Sequence, residues 1–230
     1  MIRSSVVVLL IFLTFSSFAQ QSDRPSQPDL KGDIMLDFGI NMWSEDTEKL
    51  RLDMWKSNSF SIYYNRMFKL NNKFTFHPAV GFGFEKYAFN DDYTWLSDDQ
   101  GDISLDTLNG VNLSKNKLQT TYFEIPLELR YYPWSTNTGE GVFIGAGVIG
   151  GVRINTVSKI KYPVGDGLAK EKLNHRLGVN DYRYGVQARI GWRTFHVYYK
   201  YYLSNVFSSS PDGSDINPTT STFGINFSGF

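Results

Sequence analysis

The 230-residue sequence predicts an all-β fold, a transmembrane antiparallel up-and-down β-barrel of eight strands preceded by a cleaved signal peptide. Three observations predict it. Eight segments of about ten residues alternate apolar and polar positions, the period of a strand with two unlike faces. The connections between them alternate long and short. The face opposite the apolar one mixes glycine with charge, although glycine weakens a strand interior and a water-facing sheet gains nothing from it.

The N-terminus has one early cation, Arg3, an apolar run Val6–Leu13, and Ser17-Phe18-Ala19 before Gln20. That layout reads as a signal peptide over residues 1–19, cut after Ala19. The apolar run is too short for a helix that needs about 20 residues to span a bilayer. Residues 20–30, polar and with two prolines, read as a flexible lead-in, and residues 31–230 as the barrel domain. Lys+Arg and Asp+Glu are 23 each, so no basic excess points to nucleic acid. The absence of cysteine excludes a disulfide scaffold, a thiolate metal site and a Cys nucleophile. With no zinc spacing and no nucleotide loop, no metal and no cofactor are expected.

The first segment, Gly32–Trp43, sets Ile34, Leu36, Phe38, Ile40 and Met42 against Met35, Asp37, Gly39 and Asn41. Asn58–Lys69 sets Phe60, Ile62, Tyr64 and Phe68 against Ser59, Ser61, Tyr63 and Asn65, with Arg66 a misfit on the apolar parity. Lys73–Tyr87 (KFTFHPAVGFGFEKY) puts Phe74, Phe76, Phe82 and Phe84 on one side and His77, Gly81, Gly83 and Glu85 on the other. Thr120–Tyr132, Val142–Asn155, Tyr182–Trp192, Thr194–Leu203 and Thr219–Phe230 repeat the pattern. Connections 44–56, 90–118, 159–180 and 204–218 are long, and the others are short. That rhythm is the one in which short turns face the periplasm and long loops face outside, with both termini periplasmic.

A secreted β-sandwich also alternates. Its strands average about five or six residues, whereas spanning strands need about 9–11. Gly145, Gly147, Gly151, Gly185 and Gly191 suit a narrow lumen, where small residues make room for large ones. Trp43, Tyr87, Tyr131, Trp134, Tyr182, Trp192 and Phe195 gather at segment ends, where amphipathic rings favour the bilayer interface.

The inward parity collects Asp37, Glu85, Glu124 and Glu128 with Arg130, Arg153, Arg183, Arg189 and Lys200. Buried charges persist when paired, and eight strands leave a lumen that side chains can fill. The expectation is a plug of ion pairs in which Glu124 and Glu128 meet arginines of adjacent strands; an ion or proton path is the other reading of the same charges. His77 and His196 fall on the inward parity. His175, in a long connection, has no evident acid–nucleophile spacing. The acidic stretch Asp91–Asp102 offers oxygens for calcium but lacks the alternating acids of an EF-hand, which favours a solvated loop. Within it Tyr93, Trp95 and Leu96 read as a contact for a partner or lipopolysaccharide.

A signal peptide, eight amphipathic strands and the last strand TTSTFGINFSGF, closing on Phe230, resemble the PorT-like outer-membrane β-barrels of Bacteroidota, and more widely the OmpA-type eight-stranded barrel. Phe230 falls out of phase with Phe223, Ile225 and Phe227, and Gly229 suits a bulge. The resemblance implies a bacterial outer-membrane location and, for some members, an accessory place in larger assemblies, protein secretion included; it carries over no catalytic residue. The expected function is thus a non-catalytic barrel, structural or accessory, touching outer-membrane lipid, lipopolysaccharide and other outer-membrane proteins. No peptidoglycan-gripping module is expected after the last strand. The alternative is a lipid-modifying or hydrolytic outer-membrane enzyme, which a cluster of His175 with Asp, Glu or Ser at the outer rim would favour; a small-solute pore is the third.

Overall fold

The computed structural model describes residues 32–229 except 48, 98–102, 109–110, 135–140, 166, 209 and 212–214. The expected signal peptide and lead-in, Phe230 and residues 98–102 of the acidic stretch therefore lie outside the described residues.

Among the described residues twelve strands follow in order: β1 (Asp33–Trp43), β2 (Asn58–Asn65), β3 (Phe68–Lys69), β4 (Phe74–Ala88), β5 (Tyr93–Ser97), β6 (Ile103–Thr107), β7 (Lys115–Tyr131), β8 (Val142–Val164), β9 (Gly167–Asn174), β10 (Tyr182–Trp192), β11 (Phe195–Asn205) and β12 (Thr219–Ser228). Eight form the barrel. Antiparallel pairing runs β1–β2–β4–β7–β8–β10–β11–β12 and returns from β12 to β1, so no edge is left. Closure gives every wall strand two neighbours, which a hydrocarbon environment demands of backbone N–H and C=O groups. β3 is a short partner of β4, β5 and β6 form a hairpin, and β9 extends β8 beyond the ring. The short connections lie at one rim with the N-terminal end of β1 and the C-terminal end of β12; the four long ones lie at the other.

Each period-2 segment of the sequence is a wall strand, and the ends differ in informative ways. β2 stops at Asn65, because Arg66 breaks the apolar parity; its backbone N–H goes to Pro78 O and its guanidinium covers the Phe68 ring at 5.0 Å. β7 begins at Lys115 rather than Thr120, and β8 continues to Val164 rather than ending at Asn155. A register shift at Thr121/Tyr122 lets β8 change parity there, so Ile154 and Asn155 no longer predict which later residues face out.

The outward wall is apolar and bare. Phe82 is 43 % exposed, Ile144 52 % and Phe223 53 %. A continuous belt of this kind is stable against lipid and not against water. Tyr131, Trp134, Tyr182, Trp192 and Phe195 are exposed near strand ends, as an interfacial girdle requires. Trp43 and Tyr87 are not part of it. They face inward and pack against each other with tilted rings, centres 5.5 Å apart.

Candidate functional site

The lumen is filled by its own side chains. Glu124 sits between two glycines in register, Gly81 of β4 and Gly151 of β8. Across Gly81 the Tyr63 hydroxyl donates to Glu124 Oε2 at 2.6 Å. Across Gly151 the Arg183 Nε donates to Glu124 Oε1 at 2.7 Å, and Tyr202 adds its hydroxyl at 3.1 Å. Arg183 also reaches Glu85 at 3.1 Å, and its guanidinium lies 3.9 Å from the Tyr122 ring centre. Asn41 Nδ2 donates to the other Glu85 oxygen.

The next layer repeats the device. Glu128 faces Gly147, with Gln187 beyond it, and Gln187 Nε2 donates to Glu128 Oε2 at 2.9 Å. Arg130 and Arg189 flank Gly145 and bind Glu128 through their Nε atoms at 2.6 and 3.0 Å. Arg189 and Lys200 bind Asp37 at 3.3 and 2.8 Å, and Asn226 donates to the same carboxylate. Glu124 and Glu128 thus meet Arg183 and Arg189 of β10, the next strand but one, across glycines of β8, and Glu128 also meets Arg130 of its own strand, rather than arginines of adjacent strands as expected from sequence; Glu85 and Asp37 reach Arg183 and Arg189 from three strands away. The glycines are necessary for this: a Cβ on Gly83 would stand 2.3 Å from Glu124 Oε2, and one on Gly151 3.0 Å from Glu124 Cγ.

Eight of the nine charges assigned to the lumen are brought together this way. Arg153 is not. It lies on the inner wall near the long-connection rim and is bound to Asp181 and Thr156. Sequence reasoning missed Asn41, Tyr63, Gln187, Tyr202 and Asn226, all on inward parity and therefore findable as the polar partners that buried charges need. His77 bonds Thr75 at 2.8 Å and Asn65 at 3.3 Å, and His196 bonds Arg193 O at 2.8 Å, so both serve the inner wall.

Above the network an apolar cap closes the mouth. Leu50, Tyr87, Phe89, Trp95, Leu118 and Phe207 are buried in one cluster, with Leu177, Val179 and Val206. All four long connections contribute. Trp95 is 5 % exposed and packs on Phe89 at 5.9 Å and Phe207 at 6.1 Å. It therefore holds the cap together and is not displayed at a tip; Tyr93 and Leu96, beside it on β5, are half-buried. The hairpin folds back over the mouth, which a reading of the isolated loop misses. Asp91 and Asp92 are engaged locally, by Arg51 (2.8 Å) and by the Leu113 N–H (2.6 Å). Between network and cap, the space lined by Tyr87, Tyr122, Arg183 and Tyr202 is about 10 Å³. A water needs roughly that much or more.

His175 lines an open concavity of about 530 Å³ with Asp181, Arg153 and Thr156. Asp181 is committed to Arg153 and, at 3.7 Å, to Arg176. Among the described residues no group of three or more His, Asp or Glu is arranged to hold a metal.

A closed eight-stranded wall, apolar outside and polar within, defines a transmembrane β-barrel of the bacterial outer membrane. Residues 18–208 match the model of the outer membrane protein beta-barrel domain, and the chain belongs to that family. No curated protein matches it. Solved structures that resemble it include the attachment invasion locus protein Ail of Yersinia pestis (12 % identity, 87 % of this chain and 100 % of that one, TM-score 0.35). The outer membrane protease OmpT from Escherichia coli is another (11 %, 91 % and 100 %, 0.43), as is the N-terminal β-barrel domain of Pseudomonas aeruginosa OprF (9 %, 86 % and 98 %, 0.29).

Proposed function

We propose that the protein is a non-catalytic accessory subunit of a larger outer-membrane assembly, similar in role to PorT-like barrels, with its termini periplasmic and its long connections outside. The observation that carries this is the double closure of the lumen, by an ion-pair network and by an apolar cap. A barrel filled in this way offers its surfaces rather than its interior. Met54 and Trp55, in a short 3₁₀ helix between β1 and β2, supply an apolar tip at the long-connection rim, Trp55 being 77 % exposed. This tip replaces Trp95 as the partner contact. Affinity purification of a tagged copy from native outer membranes in mild detergent tests the role. Stoichiometric recovery of a larger barrel or secretion component, reduced in Trp55→Ser, is expected; a lone monomer in both would sink it.

The second reading is a lipid-modifying or hydrolytic enzyme at the His175 concavity. Among the described residues Asp181 is held there by two arginines instead of orienting His175 as general-base chemistry needs. Lipid hydrolysis by the purified barrel that is abolished in His175→Gln would establish this reading in place of the first.

A further inference from the structure

The outward faces of β7, β8 and β9 carry six lysines in two rows. Cross-strand register places Lys117 opposite Lys159 and Lys159 opposite Lys172. The second row is Lys115 opposite Lys161 and Lys161 opposite Lys170. Each row is three like charges side by side, about 5 Å apart at the backbone, with about 7 Å between rows. Like charges directly opposite each other destabilise a sheet. No salt bridge joins any of the six to an acid among the described residues. Glu171, the one acid in the described parts of β8 and β9, is on the opposite face, where it accepts from the Tyr162 hydroxyl. Lys115 and Lys170 hold Lys161 below the usual lysine range. The arrangement costs stability in the isolated chain, so it needs an anionic complement to be favourable.

The position of the rows names that complement. On β7 the outward residues run Leu127, Ile125, Phe123, Thr121, Gln119, Lys117 and Lys115. Thr121 is level with Phe84, the last large apolar residue on that face of β4. Lys86, level with Gln119, is the next outward residue of β4 after Phe84. With strands tilted about 40°, Lys117 stands roughly 10 Å beyond the end of the apolar wall. That is headgroup depth, on the side of the wall that lipid covers. The six lysines, with Ile160 and Glu171, line a concavity of about 230 Å³.

We infer that the lysine rows of β7–β9 bind the phosphate groups of a phosphorylated lipid headgroup packed against the barrel. Two phosphates on one headgroup would bridge the two rows and cancel the repulsion within each. The inference rests on the membrane barrel and not on the accessory role, so it survives a lone monomer in the purification above.

The test uses the full barrel in nanodiscs of phosphatidylethanolamine containing bisphosphorylated lipid A or its dephosphorylated form, with retained lipid counted by native mass spectrometry. The expected result is at least a tenfold preference for the phosphorylated lipid, lost in K117Q/K159Q/K161Q/K172Q and weakened by salt. In lipid-free detergent the same variant should unfold at an equal or higher temperature than the parent, so loss of binding is not loss of fold. An unchanged preference in the variant, or none in the parent, overturns the inference. So does equally tight binding of soluble pyrophosphate, which would assign the rows to a free anion rather than a lipid.

Discussion

Two clusters of charge in this barrel obey opposite rules. In the lumen, Asp37, Glu85, Glu124 and Glu128 meet four bases, and tyrosine, asparagine and glutamine take up further lone pairs. On the outer rim, lysines face lysines. The first cluster completes itself within the chain; the second leaves its complement to be supplied from outside. Whether a charge cluster is internally balanced thus separates structural charge from charge that addresses a ligand.

The largest test of the lumen side is Arg183→Met. It leaves Glu124 and Glu85 buried without their common base, and breaking one partner of a buried pair costs roughly 3–5 kcal/mol. Urea unfolding in detergent, followed by the heat-dependent gel shift of folded barrels, should show a loss of that order or no folded barrel. Preserved stability would mean that water reaches the lumen. The wall gives the second test. Leu127→Arg, in the middle of the apolar run of β7, should cost about 2–4 kcal/mol in bilayers, whereas Gln119→Arg on the same face should cost about 0–1. Equal costs would place the membrane boundary elsewhere.

The sequence made some of this legible and hid the rest for physical reasons. The eight strands show because each must satisfy lipid on one face and a packed lumen on the other, which imposes period 2. The extensions of β7 and β8 were hidden because their polarity inverts: Lys115 and Lys117 face out while Asn116 and Leu118 face the cap, and a register shift at Thr121 changes the parity of β8. Inward charges show by parity, but their partners do not. Asp37 meets Arg189 and Lys200 from strands far along the chain, a matter of barrel closure and stagger that no local pattern encodes. Trp95 misled because the β5–β6 hairpin that buries it folds over the mouth only in the assembled barrel.

A third, smaller contrast lies within β8. A Cβ on Gly147 would stand 2.1 Å from Leu127 O and 2.8 Å from Glu128 Cα, so Gly147→Ala forces backbone apart and should cost about 1–3 kcal/mol. Gly150, on the lipid-facing parity, has nothing within 4 Å, and Gly150→Ala should be neutral or slightly stabilising. Thermal unfolding of the two variants side by side measures the difference. Equal behaviour would show that the glycines are not what lets Gln187 reach Glu128 across β8.

The smallest effect carries the sign of the whole comparison. Lys159 is opposed by lysines on both sides, so Lys159→Gln removes two repulsive pairs at once. In zwitterionic detergent at low salt it should raise stability by a few tenths to about 1 kcal/mol. The gain should fade as salt shortens the screening length. In nanodiscs holding bisphosphorylated lipid A the sign should reverse, because the lysine then loses an attractive partner instead of two repulsive ones. The same substitution in the lumen at Lys200 should destabilise in either medium, since Asp37 is its partner inside the chain. A stabilising Lys159→Gln in detergent that stays stabilising in the phosphorylated lipid would show that the rows are unmatched in the membrane as well, and the rule that an unbalanced cluster addresses a ligand would fail here.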